Sequence, residues 1–252
     1  MNPISISMIA FLLAVVGTLI GWGLRKVLPA EQLAAESKDA IKLGLGIVMT
    51  LSALVLGLLV ASAKSGYDMR RSEINQITSG LILLDYLLSK YGDDARTVRL
   101  ALREEIPLVT SRIWNEEQAY SSRPIPFKPL PLGELLYQQV QDLKPMDEAQ
   151  QELKRRILQL THDLARVRLS FFSHLSSSIP LPLLVVLLSW ISVLFAGFSV
   201  MAPAKITPLS FLFVSALSVS GAIFLVLELD QPFAGLMMIP NEPLLSVLPP
   251  LD

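Results

Sequence analysis

The sequence predicts an all-α membrane protein: four transmembrane helices in two hairpins, with a helical extramembrane domain inserted between them. Three observations predict this. Four apolar stretches are each about 20 residues long, the length at which a helix crosses the hydrocarbon core of a bilayer. Charge is concentrated between the second and third of them, where residues 64–178 hold 16 of the 21 Lys and Arg and 15 of the 22 Asp and Glu. No strand-like alternation of any length occurs, and there is no internal repeat.

Composition agrees. Apolar residues make up 52% of the chain, charged residues 17%, and mean hydropathy is +0.53. An ordinary soluble domain carries about 25% charged residues. A formal net charge of −1 gives the whole chain no electrostatic footprint for nucleic acid. The absence of Cys excludes disulfides, thiolate nucleophiles, iron–sulfur clusters and Cys-based zinc sites.

Span one runs from about Ile4 to Leu24 and span two from about Leu43 to Ala63, both without charge. Span three runs from about Ile179 to Met201. Span four runs from about Pro208 to Leu227 and ends against Glu228 and Asp230. An unpaired backbone group in lipid costs several kcal/mol, so each span should be helical. Pro180 and Pro182 suit the first turn of span three, and Pro208 that of span four. Span one has no basic segment before it and no clear A-x-A site after it, so it is expected to stay as a membrane helix.

Short linkers, 25–42 and 202–207, join the spans into a first hairpin (1–63) and a second (179–229). Between them lies the helical domain (64–178), and after them a tail (230–252). Four crossings place both termini and the domain on one side. Charge counting leaves open which side that is. Lys64, Arg70, Arg71, Arg166 and Arg168 on the domain side face Arg25, Lys26, Lys38, Lys42 and Lys205 on the other.

The polar middle reads as helices. Ile74, Ile77, Leu81, Leu84, Leu88 and Tyr91 recur at steps of three and four over 67–91. Gly92-Asp93-Asp94 should end that helix and cap the next. Residues 94–118 carry Leu102, Ile106, Val109 and Ile113 on one face, with a kink expected at Pro107. Four prolines stiffen 121–132 into an extended connector, and 133–143 form a short helix. Asp147 should cap a long helix whose seam is Leu153, Ile157, Leu160, Leu164, Val167, Phe171 and His174 or Leu175. The seam of Ile74, Ile77, Leu81 and Leu84 is expected to pack on that of Leu153, Ile157, Leu160 and Leu164.

Catalytic chemistry finds no support. His162 and His174 lack carboxylates at ligand spacing, so both read as surface or interface side chains, and no metal or cofactor is expected. Neither a phosphate loop nor a GxSxG or HExxH motif is present. Glu104-Glu105 and Glu116-Glu117 read as solvated helix surface.

Span two is more informative. Gly46, Thr50, Ala53, Gly57, Ala61 and Lys64 fall at steps of 4, 3, 4, 4 and 3, one narrow stripe at roughly 100° per residue. Such a stripe admits close helix packing within the chain. It equally suits a narrow axial pathway in an oligomer, with the opposite face of Leu45, Val48, Leu56 and Leu59 toward lipid or a neighbouring helix. Gly17 and Gly21 in span one make a GxxxG spacing that reads as packing. Asp68, Arg70, Arg71 and Glu73 follow span two, and Glu228 and Asp230 follow span four, as a membrane-boundary cluster that either pairs or is solvated at headgroup level. PFAGLMMI (232–239) is apolar but too short to cross. It should lie at the interface or pack beneath the bundle.

GLLVASAKSGYDMRRSEI (57–74), LLDYLLSKYG (83–92) and LELDQPFAGLMMI (227–239) resemble the signatures of the bestrophin-like domain family of bacterial membrane proteins. The resemblance covers nearly the whole chain in order. It implies a four-helix membrane unit in the bacterial inner membrane, a cytoplasmic middle domain and an oligomeric pore. The more distant resemblance to true bestrophins implies a pentamer with the second membrane helix lining the pore, although span two lacks their aromatic neck. The expected function is a homo-oligomeric ion channel with the bilayer, further copies of itself and inorganic ions as partners. The alternative is a non-conducting scaffold that docks a partner through its helical domain.

Overall fold

A computed structural model describes residues 2–29, 35–120, 131–173, 179–203 and 205–242. Seven α-helices form among them: α1 (Pro3–Val27), α2 (Ala35–Tyr91), α3 (Arg96–Tyr120), α4 (Pro131–Asp142), α5 (Glu148–Ser173), α6 (Leu181–Met201) and α7 (Ile206–Leu229). Four of them, α1, α2, α6 and α7, are long and apolar enough to cross a membrane. The chain is therefore a multi-pass integral membrane protein.

α2 is continuous for 57 residues. At 1.5 Å per residue that is about 85 Å, far more than a bilayer core needs. No proline interrupts 35–91. Gly92 ends the helix at φ 111°, a conformation side-chain-bearing residues rarely adopt. A 3-10 turn, Asp93–Ala95, then leads into α3.

The chain divides into two compact units. The first comprises Met1–Tyr67 and Ser177–Gln231. Here α1 packs along α6 and, less extensively, along α7. Its inward face is small: Ser7, Ala10, Ala14, Gly17 and Gly21. The expectation for Gly17 and Gly21 holds, because a Cβ at either would run into the backbone carbonyl of Ser192 or Ala196 on α6. Serines tie the helices across this close approach. The Ser199 hydroxyl donates to the Thr18 carbonyl at 2.7 Å and that of Ser220 to the Ser7 carbonyl at 2.6 Å. The core of the unit gathers Ala10, Ala14, Leu59, Ala63, Leu187 and Ile223 from all four helices. Large apolar side chains such as Leu12, Leu54, Val193 and Phe211 point outward, as they should in lipid.

The second unit comprises Asp68–Ser176 and Pro232–Asp252. Within it α2 and α5 run antiparallel. The Ser170 hydroxyl donates to Glu73 Oε1 at 2.9 Å, Gly80 faces Leu164, and Gln150 Nε2 donates to the Tyr91 carbonyl at 3.1 Å. Leu84 and Ile157 are buried in one cluster, with Leu81, Leu153, Leu160 and Leu164 packed against it. The expected seam pairing is therefore present there, while Ile74 and Ile77 are buried outside that cluster. Asp147 caps α5 as predicted, its Oδ1 accepting from Gln150 N–H at 2.6 Å. The Lys154 ammonium donates to the carbonyls of Gln141 and Leu143, closing the C-terminal end of α4.

α3 continues through Pro107, which lies on its exposed side. One expectation needs correction. Glu105 is not solvated surface: it is buried on the same face as Leu102 and Ile106, one residue from exposed Glu104. A helix turns 100° per residue, so adjacent carboxylates take opposite fates when one side is covered. The side chains of Val109, Ile113, Glu116 and Glu117, the connector 121–130 and His174 lie outside the described residues.

Candidate pore-lining face and membrane-boundary charges

The six stripe residues lie on α2. Thr50, Ala53, Gly57, Ala61 and Lys64 are exposed and Gly46 is half-buried. Among the described residues, a Cβ at Gly46 or Gly57 would meet no neighbour within 4 Å. The Thr50 hydroxyl donates to the Gly46 carbonyl at 2.9 Å, so the one uncharged polar side chain on this face has its proton satisfied within the helix. Lys64 Nζ lies 5.4 Å from the centroid of the Tyr67 ring.

The leucine face of α2 turns the other way. Leu45 and Leu59 are buried within the chain, and Val48 and Leu56 are half-buried. Of the two surroundings expected for this face, a neighbouring helix and not lipid is what Leu45 and Leu59 meet. In lipid no hydrophobic difference separates a leucine face from the acyl chains, so shape decides which side packs. Leu45 fits against Gly197 of α6, where its δ-carbons fill the space a Cβ would take. The small-residue face used inside the chain belongs to α1, not α2.

The boundary charges separate by exposure. Arg70 and Glu73 on α2 are 3% and 7% exposed, and Glu228 near the end of α7 is 3% exposed. Asp68 and Arg71 are exposed and Asp230 is half-buried. The Glu228 carbonyl accepts from Gln231 N–H at 3.1 Å, turning the chain at the end of α7. No group of three His, Asp or Glu side chains converges on a possible metal position among the described residues. His162 is exposed, as expected.

Two arrangements were not legible in the sequence. The Asp85 carboxylate, within the motif at 83–92, takes Arg99 Nε and Nη2 at 3.0 and 2.9 Å and Arg103 Nη2 at 3.2 Å. The turn at Gly92 folds α3 back on α2 to make this possible, and the Gly-Asp-Asp signal alone hinted at it. The tail segment 232–239 is also built in. Phe233 is fully buried, edge-on to Trp114 at 5.2 Å and to Phe171 at 5.6 Å. Trp114 Nε1 donates to the Ile239 carbonyl at 3.2 Å, and Ile239 N–H closes the loop onto the Pro232 carbonyl at 2.7 Å.

These motifs now stand on one long helix and one loop that follows a membrane span. A family model, the Bestrophin-like domain, matches residues 11–244. The chain belongs to the bestrophin-like family. The match takes in all six stripe residues and all six boundary charges of this bestrophin-like chain. Comparison with curated proteins and with solved structures found no match.

Proposed function

We propose that this bestrophin-like protein is a homo-oligomeric ion channel with α2 lining a shared axis. One observation carries the reading: the small-residue face of α2 is open in the single chain, whereas its leucine face is taken up by packing on α6 and α7. Small side chains leave a narrow path, and an apolar constriction conducts when wetted and closes when dry. Inorganic ions are the cargo, and the copy number of five rests on resemblance to bestrophins. The four spans form two hairpins in a bacterial inner membrane, with the 64–178 domain inserted between them on the cytoplasmic side. No catalytic step belongs to this reading.

The test is current recording from purified protein in planar bilayers. Gly57→Ser places a hydroxyl on the axis and is expected to raise conductance. Gly57→Leu is expected to lower conductance while leaving the oligomer intact on size exclusion. If wild type and Gly57→Ser assemble but neither passes current, the channel reading fails.

A second reading, a non-conducting scaffold docking a partner through its helical domain, is favoured by one feature. Leu236, Met237 and Met238 form an exposed apolar apex on the loop that Phe233 anchors.

A further inference from the structure

A groove of about 730 Å³ runs between α2, α6 and α7, lined by Ala53 and Leu56, Phe195 and Phe198, and Phe211 and Val219. All of these belong to membrane-spanning helices. In a bilayer such a space is filled by apolar matter. Its volume lies in the roughly 300–1,000 Å³ range of sites that enclose one small molecule. The groove is centred roughly 80° around α2 from the middle of the small-residue stripe and meets it only at Ala53.

One end of the apolar groove lies beside basic side chains. Lys42 lines it, and so do Ala202 and Pro208, the two sides of the loop that carries exposed Lys205. Asp39 pairs with Lys42 at 2.9 Å, leaving the pair of lysines with one net positive charge. An apolar trough ending at excess positive charge matches a lipid with an anionic head.

We propose that the groove holds an acyl chain of an anionic phospholipid of the bilayer, its phosphate against Lys42 and Lys205. The proposal is independent of conduction and of orientation. The full chain, purified and stripped of lipid in detergent, is titrated with phosphatidylglycerol and with phosphatidylcholine and followed by native mass spectrometry. Phosphatidylglycerol is expected to bind roughly tenfold more tightly. The double variant Lys42→Gln/Lys205→Gln should bind the two lipids alike. Ser215→Phe, which fills the trough from α7, should weaken both while keeping the melting temperature within a few degrees of wild type. Equal binding of the two lipids by wild type, or a preference that survives the double variant, overturns the proposal. So does disulfide formation between copies carrying Met49→Cys and Phe211→Cys, which would put a second chain in the groove.

Discussion

Glycines at helical spacing occur on both α1 and α2, yet their surroundings differ. At Gly17 and Gly21 the α6 backbone lies where a Cβ would go, and at Gly57 there is open space. Gly21→Ala should therefore cost about 1–3 kcal/mol through overpacking against a carbonyl that cannot move aside cheaply. Gly57→Ala should leave the melting temperature within a degree or two, and the two variants compared in one detergent check the contrast. Glu105 makes a second case at this scale. Burial pushes its carboxyl above the usual range, and the charge of Arg168 offsets this only in part. Among the described residues, its Oε1 is buried without a hydrogen-bond partner. A carboxyl raised in the folded state holds its proton after the unfolded chain has lost it. Stability is then fully present below the ordinary glutamate value and declines as pH rises toward the folded value. Glu105→Gln should raise the melting temperature at pH 7 and leave it nearly unchanged at pH 4, and a thermal series across that window reads the difference.

At the scale of elements, the antiparallel pair of α2 and α5 organises the helical unit. Leu84 is 1% exposed and sits where Ile157 and its neighbours close over it. Leu84→Ala should cost about 2–5 kcal/mol, the range for a buried leucine whose site only partly collapses. Leu81 is half-buried at the edge of the same seam, so Leu81→Ala should cost less, and chemical denaturation of the two variants orders them. The Asp85 pair with Arg99 and Arg103 joins α2 to α3 across the Gly92 turn. Its side chain is 8% exposed, and Asp85→Asn should lose about 2–3 kcal/mol by weakening charge-assisted hydrogen bonds in a nearly dry site. The periodicity of both seams was legible from residue spacing alone. The Asp85 pair was not, because its partners lie 14 and 18 residues away around a turn whose direction spacing does not encode.

For the whole molecule, the proposed arrangement of two hairpins with an inserted domain would require both termini and residues 64–178 to share one side of the membrane. The Cys-free chain makes the assay clean. In intact cells, an impermeant thiol reagent should label Lys38→Cys, and should label Gln118→Cys only after the membrane is opened. Labelling of both from outside would overturn the topology. The charge count of five against five could not have settled it, since the rule reads a difference and none is present.

Hydropathy, the clustering of charge and the three motif segments together determined the number of spans, the helical class and the bestrophin-like family, because bilayer thickness and backbone satisfaction leave an apolar run of about 20 residues few alternatives. Which face of each helix turns inward was decided only by the tertiary structure. In water the apolar stripe of a helix announces its buried side. In lipid every side is apolar, and Leu59 goes inward while Leu54 and Leu58 stay out because of shape at the contact, not composition. The open stripe on α2 and the trough beside it follow from that choice of faces.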